Sequence, residues 1–184
     1  MGRVLVVDDD LAMSALIDLH LQRAGHSVQV ANSAHDAMAL AAGPETPEVV
    51  ILDVAMPDMS GFELLRGLRR VEELASVRAV FLSARITALD IEAGQRMGAI
   101  YLTKPFIASA LLMAVDRLIE DGDIAMCARL EERFAERGNS DQPVLISADE
   151  RLVLERLTGG PKAPLALRAQ SLLIQASSHA QLAS

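Results

Sequence analysis

The sequence contains few of the features that mark secreted or membrane-bound proteins. Cys127 is the only cysteine among the 184 residues, so no disulfide can form within the chain. After Arg3 only four apolar residues precede an acidic triplet, which is too short for the core of a signal peptide. No apolar run reaches the roughly 18 residues that span a bilayer. We therefore expect a cytoplasmic protein that makes no membrane contact, with Cys127 acting as a small buried hydrophobic residue.

Aromatic residues and clusters of positive charge are also scarce. Aromatic residues make up 3% of the chain and hydrophobic residues 51%, so the core must be built from aliphatic side chains. Residues 1–120 contain 16 acids and 10 bases, a net charge of -6, and residues 121–184 contain 9 acids and 7 bases, a net charge of -2. Binding to nucleic acid phosphates needs clustered Lys and Arg. This charge balance argues against DNA as a partner of either part.

Short apolar runs alternate with helical patterns through the first 120 residues. The runs predict strands at 3–7, 27–31, 48–52, 77–82 and 99–102, and several are almost entirely aliphatic, as in strands that are covered on both faces. Between them lie predicted helices at 11–24, 34–42, 62–70 and 88–97, and another helix begins near Ile107. Gly25 and Gly98 stand at helix ends, and Ser60 and Thr87 at capping-box-like starts. This alternation predicts an α/β fold, with a parallel sheet and helices on both faces.

The pattern changes beyond Asp121. A helical stretch at 124–137 continues the preceding helix or follows it, a linker is predicted at 138–143, and two more helices at 148–157 and 165–180. We therefore divide the chain into a first domain at 1–120, a helical extension and linker at 121–143, and a helical tail at 144–184.

Carboxylates follow two strands of the predicted sheet. Asp8, Asp9 and Asp10 come directly after the first strand, and Asp53 comes after the third. Ligands of open parallel sheets collect outside the carboxyl ends of the strands, so these side chains converge if the two strands are neighbours. Clustered carboxylates repel one another, and a hard cation with oxygen ligands and open water positions resolves the repulsion. The sequence therefore predicts a Mg²⁺ site.

Ser83 and Lys104 complete the predicted site. Ser83 ends the fourth strand and Lys104 follows the fifth, where a hydroxyl and an ammonium group can donate hydrogen bonds to phosphoryl oxygens. Taken singly, each feature has a plain alternative, because acids and serines commonly cap helices and Asp53 is a reasonable turn residue. Their shared position at strand ends favours a carboxylate nucleophile whose developing charge is neutralised by its neighbours.

Four segments of this region resemble the receiver domain of two-component response regulators. They are residues 4–10, 51–61, 81–84 and 101–106. The resemblance covers residues 1–120. It implies a flavodoxin-like, doubly wound five-stranded sheet of order 2-1-3-4-5, and a phosphoryl group received from a sensor histidine kinase or a phosphotransfer protein.

The resemblance also implies a role for each site residue. Asp53 is expected to accept the phosphoryl group, Lys104 to pair with it, and Ser83 to move toward it. Tyr101 is expected to turn inward with Ser83, and the Lys104–Pro105 peptide to be cis. The expected Mg²⁺ ligands are Asp8, Asp9, Asp53 and the backbone carbonyl of Ala55. Ala55 offers no functional side chain at a position that tunes dephosphorylation in this family, and Ser83 replaces the more frequent Thr.

The tail leaves the output of the protein open. Residues 146–174 weakly resemble the opening helices of a homeodomain-like helix-turn-helix, cut off near the recognition helix that a DNA reader needs. Residues 138–184 balance four acids against four bases. The alternatives are packing of the tail against the first domain or a second subunit, DNA binding by the tail of a transcription regulator, and disorder in part of the tail. We expect a dimer, formed through the face around the fourth and fifth helices of the first domain.

A phosphohydrolase of the haloacid-dehalogenase type also forms an aspartyl phosphate, but its nucleophile follows the first strand, whereas Asp53 follows the third. We expect no enzymatic activity beyond the protein's own phosphorylation and dephosphorylation.

Overall fold

The computed structural model describes residues 1–84, 92, 94, 96–136, 146–158 and 163–182. The chain divides into two compact units, Met1–Ile119 and Glu120–Ser184. Among the described helices, none combines the length and the apolar character needed to cross a membrane.

The first unit is built around one parallel sheet. Its strands are β1 (Arg3–Val7), β2 (Ser27–Ala31), β3 (Val49–Asp53), β4 (Arg78–Ser83) and β5 (Ile100–Thr103). They pair in parallel in the order β2-β1-β3-β4-β5, which confirms the predicted fold class and strand order. The last three strands lie one residue later than predicted, so Asp53 is the last residue of β3.

Helices cover both faces of this sheet. They are α1 (Leu11–Arg23), α2 (Ala34–Ala41), α3 (Gly61–Leu68) and the long α4 (Ala108–Glu136). Helices α2 and α3 bury their apolar residues on one face, and α1 and the first part of α4 bury theirs on the other. Because β1, β3 and β4 are buried from both sides, they need the nearly continuous aliphatic sequences that predicted them.

Local signals set several helix ends. Gly25 and Gly98 have φ values of 88° and 63°, the left-handed conformation expected of a residue that ends a helix. Ser60 and Glu63 form the predicted capping box at the start of α3. Thr87 and most of the helix predicted at 88–97 lie outside the described residues, as does the linker predicted at 138–143.

The second unit is a helical cluster with its own core. Helix α4 runs through Gly122 without a break to Glu136, and α5 (Ala148–Thr158) and α6 (Ala163–Leu182) follow. The second half of α4 therefore groups with the tail, whereas the sequence had suggested separate segments at 121–143 and 144–184. The core contains Met126, Cys127, Leu130, Phe134, Leu154, Ala169, Leu172 and Ala176. These contacts cover one apolar face of the tail, and burial raises the pKa of the Cys127 thiol.

Ion pairs join the helices of the second unit. In each of them an arginine nitrogen lies 2.6 Å from a carboxylate oxygen on another helix. The pairs are Arg133–Glu150, Arg156–Asp123 and Arg168–Glu131. Three arginines of the tail unit are thus neutralised within the unit itself.

Candidate functional site

The acidic triplet after β1 divides into three different roles. Asp8 is buried, Asp9 is exposed, and Asp10 caps α1 by accepting hydrogen bonds from the backbone of Ala12 and Met13. Asp10 therefore fulfils the plain alternative of a helix cap, while Asp8 and Asp9 remain available to the site.

Three carboxylates meet at the carboxyl ends of β1 and β3. One oxygen from each of Asp8, Asp9 and Asp53 lies within 4.8 Å of the others. Burial raises the pKa of Asp8, although hydrogen bonds from Lys104 and from the backbone of Asp10 oppose the shift. A bound divalent cation offsets the negative charge of clustered carboxylates, and hard cations prefer oxygen ligands. The three carboxylates therefore fit the Mg²⁺ implied by the sequence. The Ala55 carbonyl stays a prediction.

Lys104 brings a positive charge to the site. Its Nζ lies 2.7 Å from Asp8 Oδ2 and 3.2 Å from Asp53 Oδ1. The backbone N–H of Lys104 donates to the Ser83 carbonyl oxygen at 2.8 Å, and the Lys104–Pro105 peptide is cis, as expected. Burial lowers the pKa of Lys104, but the hydrogen bond with Asp8 and the charges of both carboxylates raise it more, so the net shift is upward.

The two residues expected to switch lie on adjacent strands. Ser83 is buried at the end of β4, and Tyr101 is half-buried on β5 with its hydroxyl oxygen buried. The Tyr101 ring packs against Phe81 and Phe62, with ring centroids 5.1 Å and 6.0 Å apart. The Tyr101 hydroxyl is thus buried and its ring packs against two other aromatic rings, whereas movement of Tyr101 together with Ser83 stays a prediction.

Three positioning residues were not assigned a role from the sequence. A Cβ on Gly61 would overlap the Asp53 carbonyl oxygen, so only glycine lets α3 begin this close to β3. Asn32 Nδ2 donates to the Asp8 carbonyl oxygen at 2.9 Å. A Cβ on Gly94 would overlap the Tyr101 ring. Gly61 belongs to a segment that carried the family resemblance, but nothing in the sequence points to Asn32 or Gly94.

This geometry agrees with comparisons to known proteins. The family model described as the response regulator receiver domain matches residues 4–116. The chain belongs to the response regulator receiver domain family.

Individual relatives match mainly over the receiver domain. Protein PilH of Pseudomonas aeruginosa is 32% identical over 120 residues, which cover 65% of this chain and 98% of PilH. The DNA-binding dual master transcriptional regulator RpaA of Synechocystis is 36% identical over 124 residues, which cover 67% of this chain but only 51% of RpaA. This chain therefore spans about half the length of that regulator.

A solved structure shows the same fold. The chemotaxis protein CheY4 of Vibrio cholerae superposes with a TM-score of 0.60 at 31% identity, covering 64% of this chain and 98% of that chain. The receiver fold therefore accounts for about two-thirds of the protein, and the second unit is additional to it.

Proposed function

We propose that this receiver accepts a phosphoryl group on Asp53 and passes the signal on through a protein-binding surface. An Asp53 carboxylate oxygen attacks the phosphorus of a phosphohistidine, the P–N bond breaks, and the histidine nitrogen leaves with the bonding electrons and takes up a proton. The phosphodonor is a sensor histidine kinase or a phosphotransfer protein in the cytoplasm. The receiver itself contributes only to its own phosphorylation and dephosphorylation.

The position of Lys104 between Asp8 and Asp53 carries this proposal. A carboxylate nucleophile becomes part of an acyl phosphate whose oxygens bear negative charge, and an ammonium group at hydrogen-bond distance stabilises that charge. Asp8 and Asp9, with Asp53, would hold Mg²⁺, which supplies further positive charge to the phosphoryl oxygens when bound. Ser83, at the end of the neighbouring strand, would donate its hydroxyl to the phosphoryl group.

Labelling with acetyl phosphate and Mg²⁺ tests the assignment directly. On a phosphate-affinity gel we expect a shifted band for the wild-type protein and none for Asp53→Asn. Asp58→Asn is the matched control, because Asp58 is an exposed acid of the same loop that accepts a hydrogen bond from the Ala34 backbone. Labelling that survives Asp53→Asn, or that is lost equally in both variants, would reject Asp53 as the acceptor.

Intrinsic fluorescence can follow the proposed switch. Tyr101 is the only tyrosine and the chain has no tryptophan, so tyrosine emission reports on this one ring. If phosphorylation favours the inward position through Ser83, beryllofluoride with Mg²⁺ will reduce quenching of Tyr101 by acrylamide. The reduction should disappear in Ser83→Ala, and an unchanged quenching constant in the wild-type protein would contradict the coupling.

An exposed apolar surface beside the site suits a phosphodonor protein. Leu11, Leu16 and Leu19 of α1 are 69%, 45% and 44% exposed, and Leu11 directly follows the acidic triplet. We propose that the kinase or phosphotransfer protein docks here. Leu16→Glu should then slow phosphorylation by the sensor kinase while leaving the rate with acetyl phosphate unchanged. An equal effect on both donors would argue against docking.

A DNA-binding regulator remains the second candidate, because the matched relative RpaA carries that description. The match is confined to about two-thirds of this chain, and three arginines of the second unit are paired with its own acids. A gel-shift titration at low salt decides: tight binding with a steep salt dependence would favour DNA.

A further inference from the structure

We propose that the second unit is a dimerisation module, in which α6 of one copy packs against α6 of another. The inference does not depend on phosphorylation. It rests on an exposed apolar ridge, on a groove beside that ridge, and on the lack of net charge on both.

The ridge lies on the outer face of α6. Leu167 and Ile174 are 66% and 60% exposed, and their spacing of seven residues places them on one face two turns apart. The opposite face, carrying Ala169, Leu172 and Ala176, is buried in the core of the unit. Helix α6 therefore carries apolar residues on two opposite faces, and only one of these faces belongs to the core that the described residues of the unit form.

The groove lies between α4 and α6, on one flank of the ridge. It has a volume of about 500 Å³, and both apolar and polar side chains line it. They are Glu131, Phe134 and Ala135 of α4 and Arg168, Ser171, Leu172 and Gln175 of α6. A cavity of about 150 Å³ is enough to hold a benzene molecule, so the groove has room for more than one aliphatic side chain. Ser171 lies between the two ridge residues along the helix and also lines the groove, which makes the two features continuous.

Charge favours a second copy of this chain as the occupant. Arg168 is the only Asp, Glu, Lys or Arg in α6. It lines the groove together with Glu131, which neutralises it at two N–O distances of 2.8 Å and 2.6 Å. A strongly charged partner would find no unbalanced charge here to recognise. Two copies of the whole chain carry -8 each, and this neutral surface lets them meet without bringing like charges together.

Symmetry gives the arrangement. A two-fold contact places the same patch on both sides, so a patch must complement itself. Such a patch complements itself when the α6 helices of the two copies run antiparallel and the two-fold axis passes near Ser171. The ridge of each copy then enters the groove of the other copy.

Sedimentation equilibrium of the full chain, without a phosphodonor, tests the proposal. We expect a wild-type dimer, and a dimer dissociation constant at least tenfold weaker in Leu167→Glu and in Ile174→Glu, since each substitution places two carboxylates at the interface. Both side chains are exposed, so the circular dichroism of each variant should stay near wild type, and its melting temperature should fall only by the stabilisation that the weaker dimer no longer provides. Met113→Glu is the control, because Met113 is 71% exposed on the receiver part of α4 and should leave the dimer intact.

Disulfide trapping locates the axis independently. Ser171→Cys should cross-link two copies under mild oxidation if the two Cα atoms lie within about 7 Å, whereas the exposed Ser109→Cys in the receiver should not. Cys127 is buried and should not contribute. A monomeric wild-type chain, a dimer that survives both ridge variants, or a dimer lost only in Met113→Glu would each overturn the proposal.

Discussion

Neutralising the buried carboxylate of the site should stabilise the protein when no metal is bound. Asp8 is 1% exposed and lies within 4.8 Å of two other carboxylates. Asp8 Oδ1 accepts a hydrogen bond from the Asp10 backbone and Oδ2 accepts one from Lys104. Asp8→Asn removes the charge and keeps one oxygen, so it retains only one of these two hydrogen bonds. The variant therefore measures what the charge on Asp8 costs the folded state, less the contribution of the lost hydrogen bond.

The size of the effect follows from the distances. At an effective dielectric constant of about 20, two charges at the 4.8 Å limit repel by about 3.5 kcal/mol, and charges 2.7 Å apart attract by about 6 kcal/mol. The two repulsions on Asp8 thus roughly offset its attraction to Lys104, and the cost of removing the charge from water remains. We expect Asp8→Asn to be more stable by about 1–2 kcal/mol in EDTA near neutral pH, which raises Tm by roughly 3–8 °C.

The pH dependence has a definite sign. Because burial raises the pKa of Asp8, the folded state binds its proton more tightly than the unfolded state, and the penalty of the charged form exists above that raised pKa. The penalty fades as the pH falls through the raised value toward the ordinary 3.8. The wild-type and Asp8→Asn stabilities should therefore converge at acidic pH.

Urea unfolding followed by circular dichroism measures this difference at several pH values, with and without Mg²⁺. Mg²⁺ at ten times its dissociation constant would stabilise the wild-type protein by about 1.4 kcal/mol, and the variant, lacking one ligand, should gain less. Glu45→Gln removes an exposed carboxylate elsewhere and should change stability by no more than about 0.5 kcal/mol. An Asp8→Asn protein less stable than wild type in EDTA, or an advantage that persists at acidic pH, would refute the reasoning.

Three further substitutions test how the two units are built. Gly61→Ala should lower the free energy of unfolding by about 1–3 kcal/mol and slow labelling of Asp53 by acetyl phosphate, because the new methyl group overlaps the Asp53 backbone. Unchanged stability and labelling would contradict this prediction. Arg69→Met should cost about 2–3 kcal/mol in urea unfolding, since the half-buried guanidinium donates three hydrogen bonds to backbone carbonyl oxygens, and a loss below 1 kcal/mol would contradict this. Leu172→Ala should lower the free energy of unfolding of the second unit by about 2–5 kcal/mol and speed hydrogen exchange in residues 120–184. Labelling of Asp53 should stay normal, and slowed labelling would mean that the two units do not fold independently.

Sequence signals predicted the architecture of the receiver because they are local and repeated. Five aliphatic runs separated by helical periodicity are sufficient for a parallel sheet, and the glycine and serine signals at helix ends depend on only a few neighbouring residues. The same local logic placed Asp8, Asp53, Ser83 and Lys104 at strand ends. It missed strand boundaries by one residue, because hydrogen bonds to the neighbouring strand set where a strand ends.

Contacts between distant parts of the chain were decided by the tertiary structure alone. The triplet does not reveal that Asp10 caps α1 while Asp8 is buried, because the three residues differ only in the direction that packing gives each side chain. The hydrogen bond between Lys104 and Asp8 joins residues 96 positions apart, and the approach of Gly61 to Asp53 depends on how α3 meets β3. In the tail, amphipathic periodicity predicted helices, but only packing could show that the second half of α4 completes their core. The periodicity of a sequence indicates that a helix has an apolar face. Which residues pack against that face depends on the shape and burial of side chains in three dimensions.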